Sequence, residues 1–230
     1  MKLNLSILTV ITIALLSFAF YQAIYVAPTE ETMGDIQRIF YYHVPSAWTA
    51  MVFFFANFIA SIAYLAKRSP KADAWALAFA EVGVMYCTIV LVTGPLWAKP
   101  VWGIWWTWDA RLTTTLVMWL IYVAYLVLRR FAEGGQTAVL AAALAVFGFI
   151  DVPIVYMSIR WWRTQHPQPV IAGGQGSGLD PTMRKVLLIN WLAFMVMATL
   201  LSSLRYTIAR SEQKQEHEAA MASLRGAEAK

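Results

Sequence analysis

Residues 74–93 read AWALAFAEVGVMYCTIVLVT, and residues 94–111 continue as GPLWAKPVWGIWWTWDAR. The first stretch carries one charge, Glu81, in a length close to the roughly 20 apolar residues that a helix needs to cross hydrocarbon. Lipid offers no water to backbone N–H and C=O groups, so such a run is expected to be helical. The second stretch leaves that phase. Gly94 and Pro95 punctuate it, Lys99, Asp109 and Arg111 bring charge, and five tryptophans fall between Trp97 and Trp108.

The same apolar pattern recurs along the chain. Six runs approach spanning length: Leu5–Tyr25, Trp48–Ala66, Ala74–Thr93, Leu112–Leu128, Thr137–Ile159 and Val186–Leu204. The whole chain of 230 residues is 60% hydrophobic and 13% charged. A soluble domain would be about 45–50% apolar and about 25% charged. The fold class expected is therefore an all-α integral membrane protein with six transmembrane helices. The first run begins after a lone Lys2 and is longer than a usual signal-peptide core, so it is expected to remain as a span. One membrane domain is expected over residues 1–210, followed by a charged, Ala-rich tail over 211–230 that is either frayed or a helical extension.

Net charge is +5 and the sequence pI is about 9.4. The basic residues stand in short clusters between apolar runs, which is how topology is written, and no nucleic-acid partner is expected. Six spans put both termini on one side. That side holds eleven Lys and Arg residues, and the other holds seven: Arg38, Lys99, Arg111, Arg160, Arg163, Arg184 and Lys185. The positive-inside rule places both termini in the cytoplasm. The outer surface then consists of three loops, about Val26–Ala47, Gly94–Arg111 and Arg160–Lys185. The third includes a Gly-rich stretch, Gly173–Gly178, expected to be a flexible loop. Seven cations are many for a translocated surface. They are either loose rule-following or a provision for an anionic ligand.

Eight of the eleven tryptophans lie in or beside these outer loops. An aromatic belt marks both interfaces; it accounts for Trp48, Trp161 and Trp162 but not for the density between Trp97 and Trp108. Trp102, Trp105, Trp106 and Asp109 share one face at helical spacing. Together with Trp108 they offer an apolar platform suited to a large planar aromatic ligand. Asp109 is placed to cap the fourth span, to pair with Arg111, or to meet a ligand.

Of three histidines, His217 lies in the tail, while His43 and His166 lie in the first and third outer loops. A single outer-loop histidine is ordinarily a surface residue. Two of them flanking a tryptophan platform suit the axial ligation of haem iron. Arg38 and Arg111 suit the two propionates, since arginine grips carboxylates bidentately. The alternative for each arginine is contact with lipid headgroups. Glu81 and Asp151 are intramembrane acids, read as pairing between helices or with another subunit, and Pro153 is expected to kink the fifth span. The single cysteine, Cys87, lies inside a span, and no C-x-x-C-H motif is present for covalent haem attachment.

The segment Trp102-Gly-Ile-Trp-Trp-Thr-Trp-Asp109-Ala-Arg-Leu-Thr resembles the "WWD" signature of haem-handling proteins in cytochrome c biogenesis. The run Arg38-Ile-Phe-Tyr-Tyr-His43-Val-Pro-Ser-Ala-Trp48, with six spans in this length, is similar to the cytochrome c maturation protein C (haem exporter protein C) family. That resemblance covers all six spans. It implies haem b held non-covalently on the WWD segment, 97–111, at the periplasmic face of the bacterial inner membrane. His43 and His166 match the axial ligands, and Arg38 and Arg111 the propionate positions. It implies partners as well: a periplasmic haem chaperone, an ATP-binding-cassette complex and a small single-span subunit. An enzyme in the strict sense is not implied. A haem lyase acting directly on apocytochrome c, or a b-type electron carrier, would be expected to carry histidines inside its spans. A plain transporter subunit would bind no haem.

Overall fold

The computed structural model describes residues 2–132, 134–171 and 178–228. Its elements are α1 (Lys2–Tyr21), extended by a π-helical turn (Gln22–Val26), and a 3₁₀ turn (Asp35–Ile39) leading into α2 (Phe40–Lys67). Then follow α3 (Pro70–Trp102), α4 (Ala110–Phe131), α5 (Thr137–Gly148), α6 (Asp151–Trp161) and α7 (Pro181–Glu228). No strand occurs among the described residues. Six stretches are long and apolar enough to cross a membrane: Leu5–Val26, Asp35–Lys67, Pro70–Trp102, Ala110–Phe131, Thr137–Trp161 and Pro181–Arg225. The chain is a multi-pass, all-helical membrane protein.

Two helices reach further out than expected. α2 begins before His43, because Phe40 and Tyr41 are buried in a cluster with Met183, Val186 and Leu187 of α7. Tertiary packing of this kind carries a helix past its propensity limits. His43 is therefore a helical residue, not a loop residue. α3 runs through Gly94, Pro95 and Pro100 and stops at Trp102. Gly103 ends it, in the left-handed region at φ 77°, with its N–H donated to Lys99 O at 3.0 Å. The second outer loop shrinks to residues 103–109 and carries no helix. The shared helical face expected for Trp102, Trp105, Trp106 and Asp109 is thus absent: a left-handed turn separates the first from the other three.

The fifth span is two helices. α5 ends at Gly148, and α6 starts at Asp151 after a two-residue turn. Pro153 sits in the first turn of α6, where its missing N–H leaves no bond unmade. The expected kink is thus a full break ahead of the proline. Residues 172–177, most of the Gly-rich stretch, lie outside the described residues.

α2 and α3 pack against each other more extensively than any other pair among the described residues. α7 lies along α1, α2 and α3, while α4 packs on α5 and α6. The main core joins both groups through Phe54, Tyr86, Tyr122, Tyr125 and Val155. At the end of the bundle holding both termini, Arg129 of α4 donates both Nη groups to Asp73 of α3, the second at 2.9 Å. Gln213 of α7 donates to the same carboxylate at 2.9 Å. Glu81 pairs with Arg205 of α7 at 2.7 Å, so this intramembrane acid ties two helices. Asp151 is different: its Oδ2 is buried with no hydrogen-bond partner.

The α2–α3 approach depends on Gly83. A Cβ there would stand 2.6 Å from the Phe54 ring, which is fully buried and stacked on Tyr122 at 3.8 Å. The ring has nowhere to go. Gly83→Ala is expected to destabilise the bundle by about 1–3 kcal/mol, the usual range for overpacking, read as an earlier thermal unfolding transition in detergent.

Candidate functional site

The site lies where the start of α2, the end of α3, the start of α4 and the third outer loop converge. His43, in the first turns of α2, is buried. Its Nδ1 lies 2.8 Å from the Thr93 hydroxyl on α3. Thr93 has one hydroxyl proton, and that proton goes to Ile89 O at 2.7 Å. Toward His43 the hydroxyl can only accept. The imidazole therefore carries its proton on Nδ1, and its Nε2 lone pair is free. Trp97 meets the ring edge-on at 5.8 Å. Gly94 lies against the same ring, and a Cβ there would stand 3.4 Å from His43 Cε1.

His166 reaches the same chemical state by another route. It sits in the third outer loop, half-buried, with Nδ1 2.9 Å from Pro167 O. A carbonyl only accepts, so Nδ1 donates and Nε2 is again free. Burial holds this imidazole below its ordinary pKa range, and the Arg111 cation pushes the same way. The Pro167 carbonyl and Asp109 act in the opposite direction. The ring is neutral at neutral pH, the form that ligates a metal. His43, His166 and Arg111 are near enough for their charges to act on one another.

Arg111 stands in the first turn of α4 and donates Nη2–H to Tyr156 O at 3.1 Å. Its Nε is buried with no partner. A buried guanidinium N–H left unmatched calls for an acceptor, and a carboxylate is the acceptor that suits it best. Arg38 is committed elsewhere. It donates Nε to Asp35 at 3.1 Å, Nη1 to Ala23 O and Ala27 O at 2.8 and 3.2 Å, and Nη2 to Thr29 at 3.4 Å. It caps the carbonyls at the end of the first span, and a two-point grip on a further carboxylate would break some of these bonds.

Asp109 caps α4, accepting Leu112 N–H on Oδ1 at 3.0 Å. Of the roles open to Asp109 in the sequence, capping is made and pairing with Arg111 is not. Oδ2 accepts instead from Thr107, Thr164 and Gln165. Around this framework the tryptophans divide. Trp102 and Trp106 are half-buried, and Trp106 is edge-on to Trp108 at 5.7 Å. Trp105 and Trp108 are exposed, at 55% and 76%. Lys99 spans the turn, bonding to Gly103 O at 2.9 Å with its ammonium 5.9 Å from the Trp105 ring.

The structure thus brings together His43, His166, Arg111 and Asp109, and sets Arg38 at the end of the first span. Sequence reasoning missed Thr93, Thr164 and the Pro167 carbonyl. A hydroxyl in an apolar run or a polar loop gives no signal until its partner is known. Two imidazole nitrogens are too few to enclose a bare metal ion, and no cluster of three or more His, Cys, Asp or Glu exists among the described residues. Two are enough for the open axial positions of a metal that brings its own ring.

A family model described as "Heme exporter protein C" matches residues 1–220. The "Heme exporter protein C" of Bradyrhizobium diazoefficiens is 37% identical over 202 residues, covering 86% of this chain and 76% of that protein. The protein of the same name from Escherichia coli strain K12 is 34% identical over 185 residues, covering 78% and 72%. A "putative cytochrome c biosynthesis ccmC-like mitochondrial protein" of Marchantia polymorpha is 34% identical over 180 residues, covering 78% and 76%. The helices, the paired histidines and these matches meet in one conclusion: this chain belongs to the heme exporter protein C family.

Proposed function

We propose that this protein holds haem b non-covalently at the outer face of the bacterial inner membrane and presents it to a periplasmic haem chaperone. Membership of the family already places the chain in haem delivery for cytochrome c maturation. The presentation itself is carried by one observation. Two histidines from separate segments have Nδ1–H donated to oxygen and Nε2 free. Fixing the tautomer in this way orients a ring and raises its basicity as a ligand.

The two Nε2 atoms would be the ligands of haem iron. Arg111 offers its free Nε–H to a propionate; Arg38, whose donors already serve the end of the first span, would add positive charge for the second rather than a two-point grip. The exposed indoles of Trp105 and Trp108, with the half-buried Trp102 and Trp106, would give the porphyrin an apolar surface at the water boundary. Two imidazoles on the iron would leave it no open position for oxygen chemistry, and the protein's contribution would be to orient the reacting edge of the ring. Cys87 is buried within α3, which accords with non-covalent holding.

Orientation follows from charge. Lys67, Arg68, Lys71, Arg129, Arg130, Arg205 and Arg210 gather at the end of the bundle that holds both termini, so that end is cytoplasmic and the histidine end periplasmic. An ATP-binding-cassette complex and a small single-span subunit are the membrane partners this reading expects, with lipid around the rest.

The test is the visible spectrum of the purified protein beside His43→Ala and His166→Ala. A six-coordinate, bis-histidine spectrum in the wild type, altered or lost in each variant, is expected. A wild type unable to take up added haem would leave the tryptophans as a membrane belt and end this reading. Thr93 gives a second check. Thr93→Val keeps the shape and removes the acceptor, and is expected to weaken haem binding by roughly 10–100-fold, the usual cost of losing an outer-shell partner of a metal ligand. Thr93→Ser is expected to stay near the wild-type titration.

A further inference from the structure

The two histidines are held in different ways. His43 belongs to a helix and bonds to a second helix, so its position is built into the bundle. His166 belongs to a loop, and the turn that carries it, residues 164–166, is tied to α4 through one carboxylate. Asp109 Oδ2 accepts the Thr164 hydroxyl at 3.0 Å and Gln165 N–H at 3.3 Å, 55 and 56 residues away in sequence. Thr107 supplies a third donor at 3.2 Å. The Thr164 hydroxyl in turn accepts the His166 N–H at 2.9 Å. The polarity is consistent throughout: the single Thr164 proton goes to Asp109, and its lone pair receives the histidine amide. Meanwhile Oδ1 of the same aspartate anchors the start of α4 through Leu112 N–H.

We propose that Asp109 is a positioning residue that clasps the third outer loop to the tip of α4, and that His166, carried by that loop, is the axial ligand that lets go when haem is handed on. This rests on the haem-presenting reading. It gives the aspartate of the tryptophan segment a task other than ligand contact. It also makes the site asymmetric: one imidazole is anchored between helices, and the other is detachable as soon as a carboxylate loses its grip on two loop residues. A chaperone approaching the outer face needs only to disturb the 164–166 turn to open one face of the ring.

The test uses the full-length protein in detergent or nanodiscs, loaded with haem. Visible spectra are recorded, and excess apomyoglobin captures the haem that is released. The variants are Thr164→Val, Thr164→Ser and Asp109→Asn. Asparagine caps a helix as well as aspartate does, so Asp109→Asn keeps the start of α4 while placing an amide donor against the loop donors. Asp109→Asn and Thr164→Val are expected to release haem roughly 10–100-fold faster than wild type. Their six-coordinate spectrum is expected to weaken, and added imidazole to restore it. Thr164→Ser is expected to behave as wild type. Unfolding temperatures near wild type would separate a misplaced ligand from a damaged fold. Wild-type spectra and release rates in both Asp109→Asn and Thr164→Val would overturn the clasp. A wild type whose spectrum does not respond to His166→Ala would instead overturn the haem-presenting reading on which the clasp depends.

Discussion

Inside a bilayer every backbone N–H and C=O must find its partner within the protein, because no water is there to take the place of a missing one. This constraint settles the architecture before any side chain is chosen. It makes six runs helical, and it allows irregular backbone only where the chain has left the hydrocarbon. Where the helices stop, carbonyls and N–H groups are capped by named residues. Gly103 closes α3, Asp109 opens α4, and Arg38 gathers the last carbonyls of the first span. All three stand at the histidine end of the bundle. The chemistry of the site is in this sense the chemistry of helix ends.

Much of this is legible in the residues themselves. Apolar runs of spanning length announce all six crossings, and the tryptophan density and the paired histidines single out one end. The limits of the helices are less legible. Glycine and proline at 94, 95 and 100 read as the start of a loop, yet α3 continues through them to Trp102. Phe40 and Tyr41 read as a loop approach, yet burial against α7 draws them into α2. In both cases packing overrides a local signal. The capping role of Asp109 is visible beforehand because it is local; its bonds to Thr164 and Gln165 are not, since nothing in a sequence relates residues more than fifty positions apart. Thr93 is hidden for a different reason. A threonine in an apolar run ordinarily bonds its own helix, and this one does so, using its remaining lone pair for His43.

The basic residues at the histidine end of the bundle also divide once the structure is known. Arg38 and Arg111 look alike in sequence, each one cation near a candidate ligand. In the fold, Arg38 spends its donors on backbone and side-chain oxygens, while Arg111 keeps an unmatched Nε in a buried setting. An unsatisfied buried donor is costly unless something arrives to meet it. The two arginines therefore contribute unequally: one completes the scaffold, and the other is left with unspent binding capacity.

The 48-residue α7 has a mechanical consequence. At 1.5 Å per residue it is a rod of about 70 Å, longer than the bilayer is thick. Toward the end of the bundle that holds both termini, Arg205 and Gln213 fasten it to α3. On the far arm Met183, Val186 and Leu187 press on Phe40 and Tyr41, two residues short of His43. One continuous helix thus runs from the end that carries the termini to the residues that seat the buried imidazole at the opposite end.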